Sequence, residues 1–251
     1  LAIGNALGSN IANVGLVLGV TLLLSTITLE RDTTWIDLPL LMVVVLVTWF
    51  LLYDLELSRS NSLVLLGMLA LFFFRVAQHA KQSDDDIEAR EIPTLTLPLA
   101  WLSFLGGLAL LIASSRILVW AGSHIATELG VSELVIGLTI VAVGTSLPEL
   151  AASVMSALKG HADMAVGAIV GSNMFNILLV LAIPGLWGSL SLQAAVVSRD
   201  MVAVFLTTLA LALTALWRWN GASRSSTLGR GTGLLLLSLY IAYYGWLSLV
   251  P

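Results

Sequence analysis

The chain contains no cysteine, which excludes a disulfide framework, a thiolate nucleophile and any cysteine-ligated metal. Charge is scarce too: Asp, Glu, Lys and Arg supply 10% of the 251 residues, against a hydrophobic share of 58%. Mean hydropathy is +0.99. A soluble domain cannot clothe its surface with so few polar groups, so the composition is that of a polytopic membrane protein. Neither a phosphate-binding loop nor a nucleophile-base pair is recognisable, so no catalysis and no cofactor are expected. The net charge of -4 resides mainly in the 81–91 connection, and nothing supports nucleic-acid binding. At Leu1 there is no initiator methionine, and no basic segment leads into a small-residue cleavage site, so the opening apolar run is not expected to be a signal peptide. The expectation is a chain cut within a span.

Long apolar runs are abundant. Eight exceed the roughly 17 to 20 residues that cross a hydrocarbon core of about 30 Å: 1–29, 35–53, 61–78, 97–121, 131–158, 163–187, 200–217 and 231–250. Because they are continuous rather than alternating, they read as helices and not as barrel strands. Trp35, Trp101, Trp120, Trp217, Trp219 and Trp246 stand at their flanks, as aromatic belts do. Lys and Arg favour the odd connections, with 8 there and 3 in the even ones, Arg59, Arg116 and Arg199. By the positive-inside rule the odd connections are cytoplasmic and the C-terminus faces outward.

One motif is written twice, as Gly-Ser-Asn-Ile-Ala-Asn at 8–13 and Gly-Ser-Asn-Met-Phe-Asn at 171–176. Aligned over 2–20 and 165–183, the copies share nine identities in nineteen. Their spans are expected to run in opposite directions, which makes an inverted repeat with the polar clusters facing each other near the midplane. Ser9 and Asn13, like Ser172 and Asn176, are four apart, so their oxygens lie on one helical face. Such stacked neutral donors suit a hard cation that has shed its water. Close packing is the competing reading, since Gly4-x-x-x-Gly8 and Gly167-x-x-x-Gly171 are small-xxx-small patterns.

Within the fifth run lies Gly-Thr-Ser-Leu-Pro-Glu at 144–149. A carboxylate in mid-span costs about 2.5 kcal/mol or more on insertion scales and usually faces a polar cavity or ion path. Glu149 is therefore the first candidate for a metal ligand. Pro148 cannot complete the helical ladder, so the span should break there, freeing carbonyls around Thr145 and Ser146 for a cation. Alternatively, Ser146-x-x-Glu149 is a capping box that starts a short helix. Asp163 reads as an N-cap, and His79, His124 and His161 as solvated side chains. Asp84-Asp85-Asp86 with Glu88 lacks EF-hand spacing and reads as solvated linker. Arg116 is expected to snorkel to the outer surface.

The segment at 144–149, followed by Ala-Val-Gly-Ala-Ile-Val-Gly-Ser-Asn-Met-Phe-Asn at 165–176, resembles the second α-repeat of the calcium/cation antiporter superfamily, which includes the sodium/calcium exchangers. Segment 2–20 is similar to the back half of the first repeat. What the resemblance implies is an all-α, ten-helix exchanger fold, of which eight helices fall in this chain. Residues 1–80 would be the remainder of the first repeat, 81–96 a cytoplasmic linker, and 97–251 the second repeat. Implied ligands are Glu149, Thr145, Ser146, Ser172 and Asn176 from one repeat and Ser9 and Asn13 from the other. The first repeat's own glutamate would fall before Leu1.

The neutral Asn13 and Asn176, where proton-coupled members place an acid, favour sodium as counter-ion. The expected function is calcium/sodium exchange by alternating access in a bacterial inner membrane. Expected partners are calcium, sodium and the lipid bilayer, with no obligate protein partner. A cation channel and an inactive partial transporter are the rival readings.

Overall fold

A computed structural model describes residues 2–82, 97–131, 133–159 and 163–249. The acidic stretch around Asp84, His161, and the side chains of His79 and Asp163 lie outside the described residues. Nine helices carry the description: α1 (Ala2–Leu24), α2 (Thr33–Leu51), α3 (Arg59–Gln82), α4 (Leu97–Glu128), α5 (Gly137–Thr145), α6 (Leu147–Leu158), α7 (Ala165–Leu186), α8 (Val196–Trp217) and α9 (Arg230–Leu249). Six are long and apolar enough to cross a membrane, or seven if the bent pair α5–α6 counts as one span. The run expected as the eighth span forms the 20-residue helix α9, which carries Tyr240, Tyr243, Tyr244 and Trp246.

Two small sheets tie the connections. β1 (Ile27–Leu29) pairs antiparallel with β5 (Ser225–Leu228), which also pairs with β4 (Trp219–Asn220). β2 (Glu56–Leu57) pairs antiparallel with β3 (Leu190–Ser191). Between β1 and β2 runs α2, whose 19 residues span about 28 Å at 1.5 Å per residue. The sheets therefore sit at opposite ends of the molecule, the first joined to α1 and α8 and the second to α3 and α7. Trp35 and Trp219 meet edge to face at the first end, ring centroids 5.7 Å apart.

The duplication extends further than the motif. An α-helix widens to a π-turn over Asn13–Leu18 in α1 and over Asn176–Val180 in α7. The same happens over Thr33–Asp37 and Val196–Asp200, where α2 and α8 begin. The starts of both pairs of π-turns, of β1 and β3, and of β2 and β4 are each 163 positions apart. Such wide turns are uncommon and concentrate at functional sites.

Burial separates the helices sharply. In α1, 78% of the membrane-length window is buried, against 6% in α4, so α1 is the central element and α4 lies on the periphery. Leu7, Ile11, Val14, Leu18 and Leu22 of α1 join Leu138, Val166, Ile169, Met174 and Leu178 in one apolar core. A Cβ on Gly8 would lie 2.7 Å from the Ala142 Cβ and 3.0 Å from the Leu138 backbone. Close approach is thus real at Gly8. A Cβ on Gly167 or Gly171 would meet no atom within 4 Å, so the packing reading does not extend to the second copy among the described residues.

Several boundaries differ from the sequence expectation. The first span ends at Leu24 rather than 29 because Ser25 turns extended and β1 follows. The fourth helix continues to Glu128. Arg75, one of the eight basic residues counted to the odd connections, lies within α3 and forms an ion pair with Asp37 at 3.2 Å. Arg199, counted as a connection charge, is instead 3% exposed, inside the first turn of α8. It bonds the fully buried Asp200 at 2.8 Å, and Tyr243 of α9 donates to the same carboxylate oxygen at 3.1 Å. A buried charge requires such partners.

Candidate functional site

Three elements supply the polar centre: α1, α7 and the break between α5 and α6. On α1 the stripe Asn5, Ser9, Asn13 advances four residues at a time, so all three side chains fall on one face. Pro148 sits just inside α6, and the chain bends by 44° between α5 and α6. The expected break is present, and its cause is the missing N–H of Pro148, which would have bonded the Gly144 carbonyl. That carbonyl is not left for an ion. Ser115 Oγ of α4 donates to it, and the Ser146 carbonyl accepts from the Leu150 N–H at 2.9 Å. Two of the carbonyls expected to be freed around the break are therefore engaged by protein donors.

The capping-box reading fails as well. Ser146 makes no side-chain cap bond, and its buried Oγ has no hydrogen-bond partner among the described residues. Glu149 Oε1 accepts from Ser172 Oγ at 3.0 Å, whereas its Oε2, also buried, has none. Asn13 Oδ1 is the third such oxygen in this centre. Leaving a buried acceptor unmade costs about 1–3 kcal/mol each. Two neutral oxygens in this state, on Asn13 and Ser146, thus accompany the unpartnered oxygen of the Glu149 carboxylate.

Around them the remaining polar groups interlock. Ser9 Oγ and Thr145 Oγ1 share a hydrogen bond of 2.8 Å. Both also approach Asn5 Oδ1, at 3.4 and 3.0 Å. Asn13 Nδ2 donates to Ser172 Oγ at 3.3 Å and to Asn173 Oδ1 at 3.0 Å. Asn176 Nδ2 donates to Asn10 Oδ1 at 3.1 Å. Asn10 and Asn173 each donate to the other's backbone carbonyl, at 3.3 and 3.4 Å. Thr145 additionally lines a cavity of about 470 Å³ beside Ser115, Arg116 and Trp120.

Ser9, Asn13, Thr145, Glu149, Ser172 and Asn176 are thus all drawn into side-chain hydrogen bonds of this centre, and Ser146 lies beside Thr145 in the chain. Sequence reasoning missed Asn5, although its spacing four residues before Ser9 was a usable signal. It also missed Ser115, which stands in an otherwise lipid-like helix and gives no such signal. No group of three or more His, Cys, Asp or Glu side chains occurs among the described residues, so neutral oxygens dominate. His124 is exposed and its ring lies 5.1 Å from that of Trp120.

Comparison with known proteins gives the family. The sodium/calcium exchanger protein family matches the chain over residues 1–77 and 99–249. Inner membrane protein YrbG of Escherichia coli (strain K12) is 37% identical over 261 residues, covering 99% of this chain and 78% of that protein. Sodium/calcium exchanger MaX1 of Methanosarcina acetivorans is 27% identical, with 97% and 79% covered. The solved structure of the sodium-calcium exchanger NCX_Mj soaked with sodium and strontium superposes with a TM-score of 0.75 at 31% identity, covering 97% of this chain and 76% of that one. This chain is a multi-pass membrane protein that belongs to the sodium/calcium exchanger family.

Proposed function

We propose that the chain works as a secondary antiporter, exchanging calcium for sodium by alternating access at the centre built from α1, α5–α6 and α7. The carrying observation is the trio of buried, unpartnered oxygens on Asn13, Ser146 and Glu149. Calcium takes six to eight oxygen ligands and tolerates irregular geometry. Glu149 supplies the formal charge, and Ser9, Asn13, Thr145, Ser146, Ser172 and Asn176 supply neutral oxygens. A site built mostly of neutral oxygens lets sodium compete with calcium for the same ligands. Differential binding of two ions to one site is what drives exchange.

Support for an inverted repeat comes from the constant 163-residue offset together with the sheets. Corresponding strands β1 and β3 belong to opposite ends of the molecule, as copies running in opposite directions require. The sheets also join connections of like parity, which suits the orientation with a cytoplasmic 81–96 linker and an outward C-terminus. On this reading 1–80 and 97–251 are the two repeat portions, eight helices of an exchanger fold that has ten, in a bacterial inner membrane.

The test is sodium-gradient-driven calcium uptake by proteoliposomes. Glu149→Gln keeps shape and hydrogen-bonding capacity but removes the charge, so uptake is expected to fall to background with the protein still folded. Uptake at the parent rate would refute the assignment. Calcium flux that neither saturates nor depends on the sodium gradient would favour a channel instead.

A further inference from the structure

We infer that Asn10 and Asn173 are positioning residues that fix which end of the Asn13 and Asn176 amides faces the cation. The inference rests on the site proposed above. An asparagine amide can present oxygen or nitrogen to a site by rotating half a turn, and for a cation only oxygen is useful. Something must hold the rotation. At Asn10 and Asn173 the answer lies in the main chain: each Nδ2 faces the other residue's backbone carbonyl, at 3.3 and 3.4 Å. A carbonyl can only accept, so these two amides cannot flip without losing the bond.

Their orientation then propagates. With its nitrogen committed to the Asn10 carbonyl, Asn173 can offer only Oδ1 on its other side, and Asn13 must answer with Nδ2, at 3.0 Å. Asn10 likewise offers Oδ1, and Asn176 answers with Nδ2 at 3.1 Å. Because an amide is planar, fixing its nitrogen fixes its oxygen. For Asn13 that oxygen is the buried, unpartnered Oδ1. The four bonds form two pairs related by the 163-residue offset, so each helix orients the other's ligand. Asn10 and Asn173 are 1% exposed, and rotation into water is not open to them.

The experiment measures the half-saturating calcium concentration and the maximal rate of sodium-driven uptake in proteoliposomes. Asn10→Ala removes the acceptor that holds Asn176. Asn10→Asp is isosteric and keeps that acceptor in either protonation state. Asn10→Ala is expected to raise the half-saturating concentration about tenfold, the value of one hydrogen bond, with the maximal rate within about twofold. Asn10→Asp should restore affinity, and Asn173→Ala and Asn173→Asp should behave as the same pair. In an Asn176→Ala background, Asn10→Ala should have no further effect on affinity, because the amide it orients is gone.

Three results would overturn the inference: parent affinity in folded Asn10→Ala, equal loss in the Ala and Asp variants, or full additivity with Asn176→Ala. Should Asn10→Ala not fold, Asn10→Asp carries the test, and loss of affinity in that folded protein refutes the idea. Normal transport by Glu149→Gln would remove the site itself. Background uptake by Glu149→Gln with parent affinity in Asn10→Ala would remove only the clasp.

Discussion

Ser115→Ala deletes one hydroxyl from a peripheral helix, yet its cost should be that of a core defect. The hydroxyl donates to the Gly144 carbonyl, which cannot receive its helical i+4 bond because residue 148 is proline. Here α4 lies close against the break: a Cβ on Gly144 would collide with the Val119 Cγ2, and Ser115 itself is buried. An abandoned buried acceptor costs about 1–3 kcal/mol. Restoring the ladder should erase most of that. In a Pro148→Ala background the new N–H can reach Gly144, and Ser115→Ala should then cost under about 0.5 kcal/mol, a coupling of roughly 1–3 kcal/mol between the two positions. Reversible denaturant unfolding of the four proteins in detergent measures the cycle. An equal cost of Ser115→Ala in both backgrounds would show that the hydroxyl does not serve the proline break.

The buried pair at the head of α8 gives a second expectation. Arg199→Met, which leaves the buried Asp200 without its partner, should destabilise by about 3–5 kcal/mol, whereas replacing Arg199, Asp200 and Tyr243 together by Met, Leu and Phe should be far milder; the same unfolding assay compares them. For topology, a phosphatase reporter fused after Pro251 should be active, on the outer face of the inner membrane, and one placed in the 81–96 linker inactive, with the pattern reversed for a fluorescent cytoplasmic reporter. A C-terminal reporter active only in the cytoplasm would overturn the orientation.

The sequence carried the centre of this site because charge and polarity at membrane depth are conspicuous. Glu149, the Ser-Asn pairs and Pro148 stand out against aliphatic surroundings, and the proline break follows from covalent chemistry alone. What lies beyond was hidden for physical reasons. The repeat persists as geometry through β2 and β4, where Glu56–Leu57 corresponds to Trp219–Asn220 with no shared residue, since backbone turns can be kept while side chains drift. Asn5 has Ala168 as its counterpart, so the duplication gave it no emphasis. Ser115 looks like one of many small residues in α4, and only the three-dimensional neighbour reveals that it completes the ladder at Gly144. Arg199 was misjudged because charge in a sequence is read as exposure, whereas the partners Asp200 and Tyr243, the latter from α9, allow its burial.

The central claim is one cation site, built around Glu149, that calcium and sodium share. Equilibrium calcium binding to the purified protein tests it most directly, by titration calorimetry with and without sodium and with Glu149→Gln alongside. The account predicts saturable calcium binding whose apparent affinity weakens as sodium rises, and no measurable binding by Glu149→Gln. Calcium binding that ignores sodium, or that survives unchanged in Glu149→Gln, would contradict it.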